Sequence, residues 1–139
     1  MDYKVNTSQV KIVRGLSPIA LAAAGSGTAI DATGYEWGML LAIGGSTPTG
    51  TGLVLGVERS ATSNGTFAQF GASIPHGNTN NTVTSRSFAI DTSAVWHKIS
   101  YDNNNLGSAI TGVALLLFSG RNEPVPTQAT GTTGYSDVL

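Results

Sequence analysis

The sequence predicts an all-β chain that folds as an antiparallel, jelly-roll-like β-sandwich with an extended N-terminal arm and a C-terminal tail. Three observations predict this class. Short apolar runs recur along the chain, turn-forming Gly, Asn and Asp residues separate them, and sustained helical spacing of apolar residues is nearly absent. Roughly seven to nine short strands with frequent turns are typical of a sandwich or a barrel.

The first half of the chain contains two strand-like runs. Val10–Val13 alternates weakly between apolar and polar residues. Tyr35–Ile43 is a mainly apolar run that Gly34 and the Gly44-Gly45 pair bound. A run of this length between glycines predicts a strand that is buried on both faces rather than a helix.

The middle of the chain predicts a β-hairpin. In Leu53–Arg59, the apolar residues Leu53, Leu55 and Val57 alternate and share one face of a strand. Asn64-Gly65 follows, and this dipeptide between strand-like runs is typical of a hairpin turn. The turn leads into a second predicted strand, Thr66–Phe70.

Three later runs also predict strands, namely Val83–Ile90, Trp96–Tyr101 and Ile110–Phe118. Polar residues at Gly77–Thr82 predict a loop, and those at Asp102–Asn105 predict a turn. Large aromatic side chains within predicted strands are expected to pack in the core. These side chains are Trp37, Phe88, Trp96 and Phe118.

Length and composition predict one domain with three parts: an arm over residues 1–15, a sandwich over 16–126 and an extended tail over 127–139. A chain of 139 residues can bury a core without a metal or a disulfide. Only 11% of its residues are charged and its formal net charge is −1, whereas about a quarter of an ordinary soluble domain is charged. A surface this poor in charge favours contact with other subunits.

The few charges are unevenly placed. The first fourteen residues hold three basic residues and one acidic residue, while the remainder is net acidic. A basic arm on a nearly neutral body predicts docking on an acidic protein surface, with an affinity that depends on salt. The residues expected to bind this partner are Tyr3, Lys4, Val5, Lys11 and Arg14.

The sequence lacks the residue patterns of an enzyme, a metal site or a cofactor site. It has no cysteine, and neither His76 nor His97 accompanies a nucleophile motif. Glu36 and Glu58 could serve as a glycosidase pair only at a carboxyl separation of roughly 5 to 10 Å, and solvent-facing positions suit them better. We therefore expect no catalytic activity and no cofactor.

Neither nucleic acid nor a membrane is an expected partner. Nucleic-acid binding would need a basic stripe with exposed aromatic side chains, which the arm is too short to provide. The longest apolar run, Gly112–Phe118, is far shorter than the roughly twenty residues of a membrane helix. The N-terminal residues also lack the apolar segment of a secretory signal.

Three stretches resemble a group of small β-rich proteins encoded among the head genes of tailed bacteriophages. They are Thr28–Glu36, then Val57–Ser60 with Asn64–Phe67 close behind, and Gly112–Phe118 leading into Arg121–Pro126. The resemblance covers residues 16–126 and implies a capsid decoration, or cement, protein. Such a protein sits on the outer surface of the virion head, binds the major capsid protein and commonly forms homotrimers. The resemblance brings no catalytic residue.

A carbohydrate-binding β-sandwich on a phage head or tail appendage is the alternative function. Sandwich folds host such sites, although the fold alone does not imply one. A site of this kind needs exposed aromatic side chains, and Tyr101 and Tyr135 near turn clusters are the candidates.

Overall fold

The computed structural model describes residues 10–21, 23–45, 53–76, 82–103 and 109–118. Within these ranges the chain forms nine β-strands and no helix. The strands are β1 Val10–Leu21, β2 Gly25–Ser26, β3 Ile30–Asp31, β4 Trp37–Gly44, β5 Val54–Ser60, β6 Ala68–Pro75, β7 Val83–Ala89, β8 Trp96–Asp102 and β9 Ala109–Phe118.

The strands form two antiparallel sheets that pack face to face. Sheet A has the order β1-β9-β4-β7, and sheet B has the order β2-β8-β5-β6, with β3 also paired to β8. The short strands β2 and β3 together act as one interrupted strand along β8. Eight strands in this order form a double-sheet jelly roll, so the predicted all-β, jelly-roll-like sandwich is confirmed.

The core lies between the two sheets and follows from the alternation of side chains along each strand. Sheet A contributes the fully buried side chains of Leu40, Leu115 and Leu117, and sheet B contributes those of Leu55 and Ile99. Burying an aliphatic side chain of this size stabilises the fold by about 1.5–3 kcal/mol. The same alternation directs the intervening residues outward, away from this core.

Two glycines on the inner face of β4 leave space for the ring of Phe88 in β7 and the ring of His76, which follows β6 of sheet B. A Cβ added to Gly38 would lie 2.5 Å from Cζ of Phe88, its partner in the β4–β7 register. A Cβ added to Gly44 would lie 2.7 Å from Nε2 of His76. These two glycines therefore serve close packing inside the sandwich.

The predicted hairpin is present, with a different second strand. The amide of Gly65 donates to the carbonyl oxygen of Thr62 within the connection between β5 and β6. The second strand was predicted at Thr66–Phe70, but β6 begins at Ala68 and ends at Pro75. Pairing with β5 decides this extent, because Pro75 is still opposite a β5 residue.

The N-terminal part of the sandwich begins earlier than expected. Residues 10–15, which the sequence analysis placed in the arm, form the first half of β1 and pair with β9 from Val10–Phe118 to Arg14–Ala114. Their weak alternation becomes a strand because β9 supplies the hydrogen-bonding partner. Residues 1–9, 77–81, 104–108 and 119–139, which include parts of the predicted arm, loop and turn and the whole tail, lie outside the described residues.

The Ile30–Glu36 stretch, part of the first stretch that carries the resemblance, forms a compact turn into β4. The Asp31 carboxylate accepts hydrogen bonds from the Thr33 amide at 2.9 Å and from the Thr33 hydroxyl at 2.6 Å. Gly34 adopts a φ of 88°, which a residue with a side chain rarely adopts. The motif therefore has a structural explanation.

Candidate interaction surface

The outward residues of β4 are all large and apolar. They are Trp37, Met39, Leu41 and Ile43, and they alternate with buried residues of the same strand. Trp37 is 51% exposed and Ile43 is 58% exposed. The expectation that this run is buried on both faces, and that Trp37 packs in the core, is wrong for the single chain. Only its inner face meets the other sheet.

The neighbouring strand β9 continues this apolar character at the centre of sheet A. Its outward residues are Gly112, Ala114, Leu116 and Phe118, each half-buried. Leu116 lies opposite Met39 in the register with β4. Of the other aromatic residues expected in the core, Phe88 is buried, whereas Phe118 and Trp96 lie half-buried on the outer faces of their sheets.

The two edge strands of sheet A complete the surface. Val10 and Ile12 of β1 lie opposite outward residues of β9, and Val83 and Ala89 of β7 lie opposite outward residues of β4. Val83 is 64% exposed. We call the outward apolar residues of the four strands the apolar face. They are Val10, Ile12, Trp37, Met39, Leu41, Ile43, Val83, Ala89, Gly112, Ala114, Leu116 and Phe118.

The apolar face contains a trough and has the area of an interaction surface. Gly112 and Ala114 form the floor of an open trough, which Ile12, Arg14 and Pro18 of β1 flank on one side and Leu41 and Ile43 of β4 on the other. Four strands about 4.8 Å apart, each about eight residues long, give this side of sheet A an area of about 500 Å², in which Ser85 and Ser87 of β7 are polar. Exposed apolar patches of a few hundred Å² are often functional in monomeric proteins.

The structure places Lys11 and Arg14, the two cations of the predicted partner-binding set that it describes, on opposite sides of β1. Arg14 is exposed and lies opposite Ala114, so it points outward at the border of the apolar face. Lys11 lies opposite the buried Leu117 and so occupies the inner side of β1. The strand therefore does not bring these two cations to one face. The other three predicted residues, Tyr3, Lys4 and Val5, lie outside the described residues.

Both histidines are buried between the sheets. The Nδ1–H of His97 donates to the carbonyl oxygen of Val95 at 3.0 Å, and the ring packs against Phe88 with centroids 5.4 Å apart. Nδ1 of His76 lies 2.8 Å from Oγ1 of Thr84. Burial lowers the pKa of both histidines below the usual value. Each ring thus fastens β7, which contains Thr84 and Phe88, to sheet B.

His76 is buried, although it directly precedes the predicted polar loop over Gly77–Thr82. It follows β6 directly and is 0% exposed, and its amide donates to the carbonyl oxygen of Leu53 at 2.9 Å. The space for its ring exists because Gly44 has no side chain. Burial of this ring depends on a residue more than thirty positions away, which the local sequence does not indicate.

The two carboxylates considered for catalysis lie on different sheets. Glu36 is exposed just before β4 of sheet A, and Glu58 is in β5 of sheet B. Glu58 borders an open groove of about 720 Å³ on the outer face of sheet B. Ser100, Tyr101 and Asp102 line the same groove. Tyr101 is half-buried against the core, and Tyr135 lies outside the described residues.

Within the part of the chain that the structure describes, no three His, Asp or Glu side chains lie close enough to share a metal ion. The same part of the chain contains no helix with the length and hydropathy needed to cross a membrane.

Comparison with known proteins identifies no family. No protein-family model matches the sequence, and no curated protein is significantly similar to it. One similar solved structure comes from work entitled "Bacillus endospore appendages form a novel family of disulfide-linked pili". It is 17% identical with a TM-score of 0.37, and the match covers 80% of this chain and 90% of that chain. A likeness at this level identifies neither a function nor a partner.

Sequence reasoning missed the apolar face as a surface, although it detected its main strand. The signal was the nearly unbroken apolar run Tyr35–Ile43. Such a run indicates that both faces of a strand avoid water. The structure gives one of those faces a cover in the second sheet, and it leaves the other face exposed.

Proposed function

We propose that this protein is a structural subunit of a larger assembly, and specifically a capsid decoration protein on the outer surface of a tailed-phage head. The apolar face of sheet A is the observation that carries the proposal. A domain that works alone in water has little reason to keep Trp37 and Ile43 on one sheet face, whereas an assembly subunit buries such a face against a neighbour.

The sparse charge of the chain supports the same role. A neutral body meets little electrostatic repulsion when subunits pack at high density. The basic residues of the N-terminal stretch supply a tether to an acidic shell, for which long-range attraction mainly raises the rate and specificity of docking. In the described part of this stretch, Arg14 is the exposed cation. The major capsid protein is the proposed partner.

Deletion of residues 1–9 and the substitution Arg14→Glu should each weaken binding to heads purified from the phage that encodes this chain. The deletion leaves β1 complete, so a loss of binding would report the arm rather than the fold. Removing basic contacts from a salt-dependent interface should lower the affinity by roughly tenfold or more at low salt. Co-sedimentation with decoration-free heads measures the binding.

Arg14→Lys is the matched control, because it keeps the charge at the same position and should bind as the intact chain does. If both altered chains bound heads as tightly as the intact chain, docking through the arm would be wrong. If the intact chain failed to bind heads at all, the decoration function itself would be wrong.

The groove on sheet B favours carbohydrate binding as the second candidate function. Its hydroxyl and carboxylate groups, from Ser100, Glu58 and Asp102, are of the kinds that bind sugar hydroxyls through hydrogen bonds. A glycan array should then show specific binding that Gly56→Val removes, since a Cβ at Gly56 already lies 2.5 Å from Oγ of Ser100. An array without any binding would eliminate this candidate.

A further inference from the structure

We infer that the apolar face is a self-association surface, and that the same face of a second copy of this chain occupies it across a twofold axis. The inference rests on the proposed role as an assembly subunit, names a partner for the face that carries that role, and replaces the homotrimer that the resemblance implies with a twofold pair. When the same face of two copies meets across a twofold axis, each residue contact occurs twice and neither face is left exposed. The assembly therefore ends at two copies.

The charge on the face favours a neutral partner. Among its outward positions in the described residues, the only charged one is Arg14, which lines the trough from the edge strand β1. A partner with acidic or basic groups opposite Met39 and Leu116 would lose their hydration there without gaining a compensating charge. A second apolar face carries no such cost. The net charge of −1 also keeps repulsion between copies small.

The shape of the apolar face allows it to pack against the same face of a second copy. The ridge formed by Leu41 and Ile43 of β4 runs beside the trough over Gly112 and Ala114 of β9. When two sheets pack, side chains from the two faces interdigitate. A twofold axis that brings the ridge of each copy into the trough of the other satisfies this requirement with one surface.

The area is sufficient for such a pair. Two faces of about 500 Å² each would bury about 1,000 Å² in total, which is where specific interfaces begin. The most exposed apolar side chains, Trp37, Ile43 and Val83, all belong to this face. Pairing would therefore cover the most water-exposed apolar groups of the described residues.

The sheet edges are less suited to association than the face. β1 carries two register shifts and Pro18, which has no amide hydrogen, and β6 ends at Pro75. At the other edge of sheet A, Arg86 of β7 points inward and donates to the carbonyl oxygen of Ala72 at 2.6 Å. Prolines, bulges and inward charges are the devices that prevent pairing at an edge.

The oligomeric state of the full chain tests the inference. Light scattering after size-exclusion chromatography should give twice the chain mass of 14.2 kDa at high concentration. Leu41→Lys brings two like charges together near the centre of the pair and should raise the dimer dissociation constant by at least about tenfold. Ile43→Ser should act in the same direction. Because Ile43 is 58% exposed, this second variant is expected to fold normally.

Tryptophan provides a matched control and a second readout. Trp96 lies on the outer face of sheet B, so Trp96→Ser should leave the dimer intact while Trp37→Ser weakens it. In a Trp96→Phe chain, Trp37 is the only tryptophan. Its emission should shift to shorter wavelength as concentration rises and the face becomes covered.

Three results would overturn the inference: a monomer at every concentration, an oligomer that persists in Leu41→Lys and Ile43→Ser, or a trimer in place of the twofold pair. Head binding distinguishes this failure from failure of the proposed function. A dimer that does not bind heads would contradict capsid decoration alone, whereas a chain that binds heads without dimerising would contradict the inference alone.

Discussion

Lowering the pH from about 7.5 to about 5 should destabilise this protein by up to about 1.4 kcal/mol per pH unit for each buried histidine. His76 and His97 are 0% and 1% exposed, and burial lowers the pKa of both. In the unfolded chain each imidazole binds a proton near pH 6.5. The unfolded state therefore holds more protons below that pH. The stabilisation is complete above pH 6.5 and is lost as the pH falls toward the folded-state pKa values.

The location of the rings gives this effect a structural consequence. A proton on His97 would place a charge against the ring of Phe88, and one on His76 would place a charge beside Thr84 and the backbone of Gly44. A buried charge without a close counter-charge is costly. Because both histidine rings contact β7, we expect the contacts between β7 and sheet B to be the first that are lost at acid pH.

Urea unfolding at several pH values between about 7.5 and 5 measures the slope of stability against pH. The double variant His76→Asn, His97→Asn should be less stable than the intact chain at pH 7.5, because Asn fills less space. Its stability should nevertheless change much less with pH. A double variant with the same slope as the intact chain would show that other groups cause the acid sensitivity.

Ile99→Ala should cost about 2–5 kcal/mol of unfolding free energy. Ile99 is fully buried at the centre of β8 and lies opposite Val57 in the register with β5. Its Cγ1 also reaches the opposite sheet, since a Cβ on Gly15 of β1 would lie 2.7 Å from it. Truncation therefore opens a cavity between the sheets. Total stabilities of native domains are only about 5–15 kcal/mol, so this single change removes a large fraction.

A graded series on β8 checks this prediction by urea denaturation. Ile99→Val removes one methyl group and should cost only about 0.5–1.5 kcal/mol. Lys98→Ala affects the adjacent outward residue, whose ammonium lies 4.3 Å from the Phe67 ring centroid, and should cost at most about 1 kcal/mol. A loss for Ile99→Ala no larger than that for Ile99→Val would contradict the central position of this side chain in the core.

The strands that sequence reasoning located best are those whose pattern is complete within a few residues. In Leu53–Arg59 the alternation alone predicts which residues face the core, and Leu53, Leu55 and Val57 are indeed buried. The turn signal at Asn64-Gly65 is equally local, although the hydrogen-bonded turn is centred on Ser63 and Asn64. The end of β6 at Pro75 was not predictable in this way, because it depends on how far β5 offers a partner.

The candidate surface was only partly predictable. The apolar run that includes Trp37 indicates a strand that avoids water on both faces, but it cannot say which face the second sheet covers. The separation of Lys11 from Arg14 likewise follows from their register against Leu117 and Ala114 of β9. That register joins residues about one hundred positions apart.

The sequence by itself determined the fold class, most strand positions and the low charge of this protein, because side-chain alternation and turn preferences are short-range properties. The tertiary structure decided the jelly-roll order, the burial of both histidines and the placing of the outward apolar residues of β1, β9, β4 and β7 on one face. These features depend on pairing between distant strands and on the room left by Gly38 and Gly44. Such complementarity exists only once the two sheets have packed.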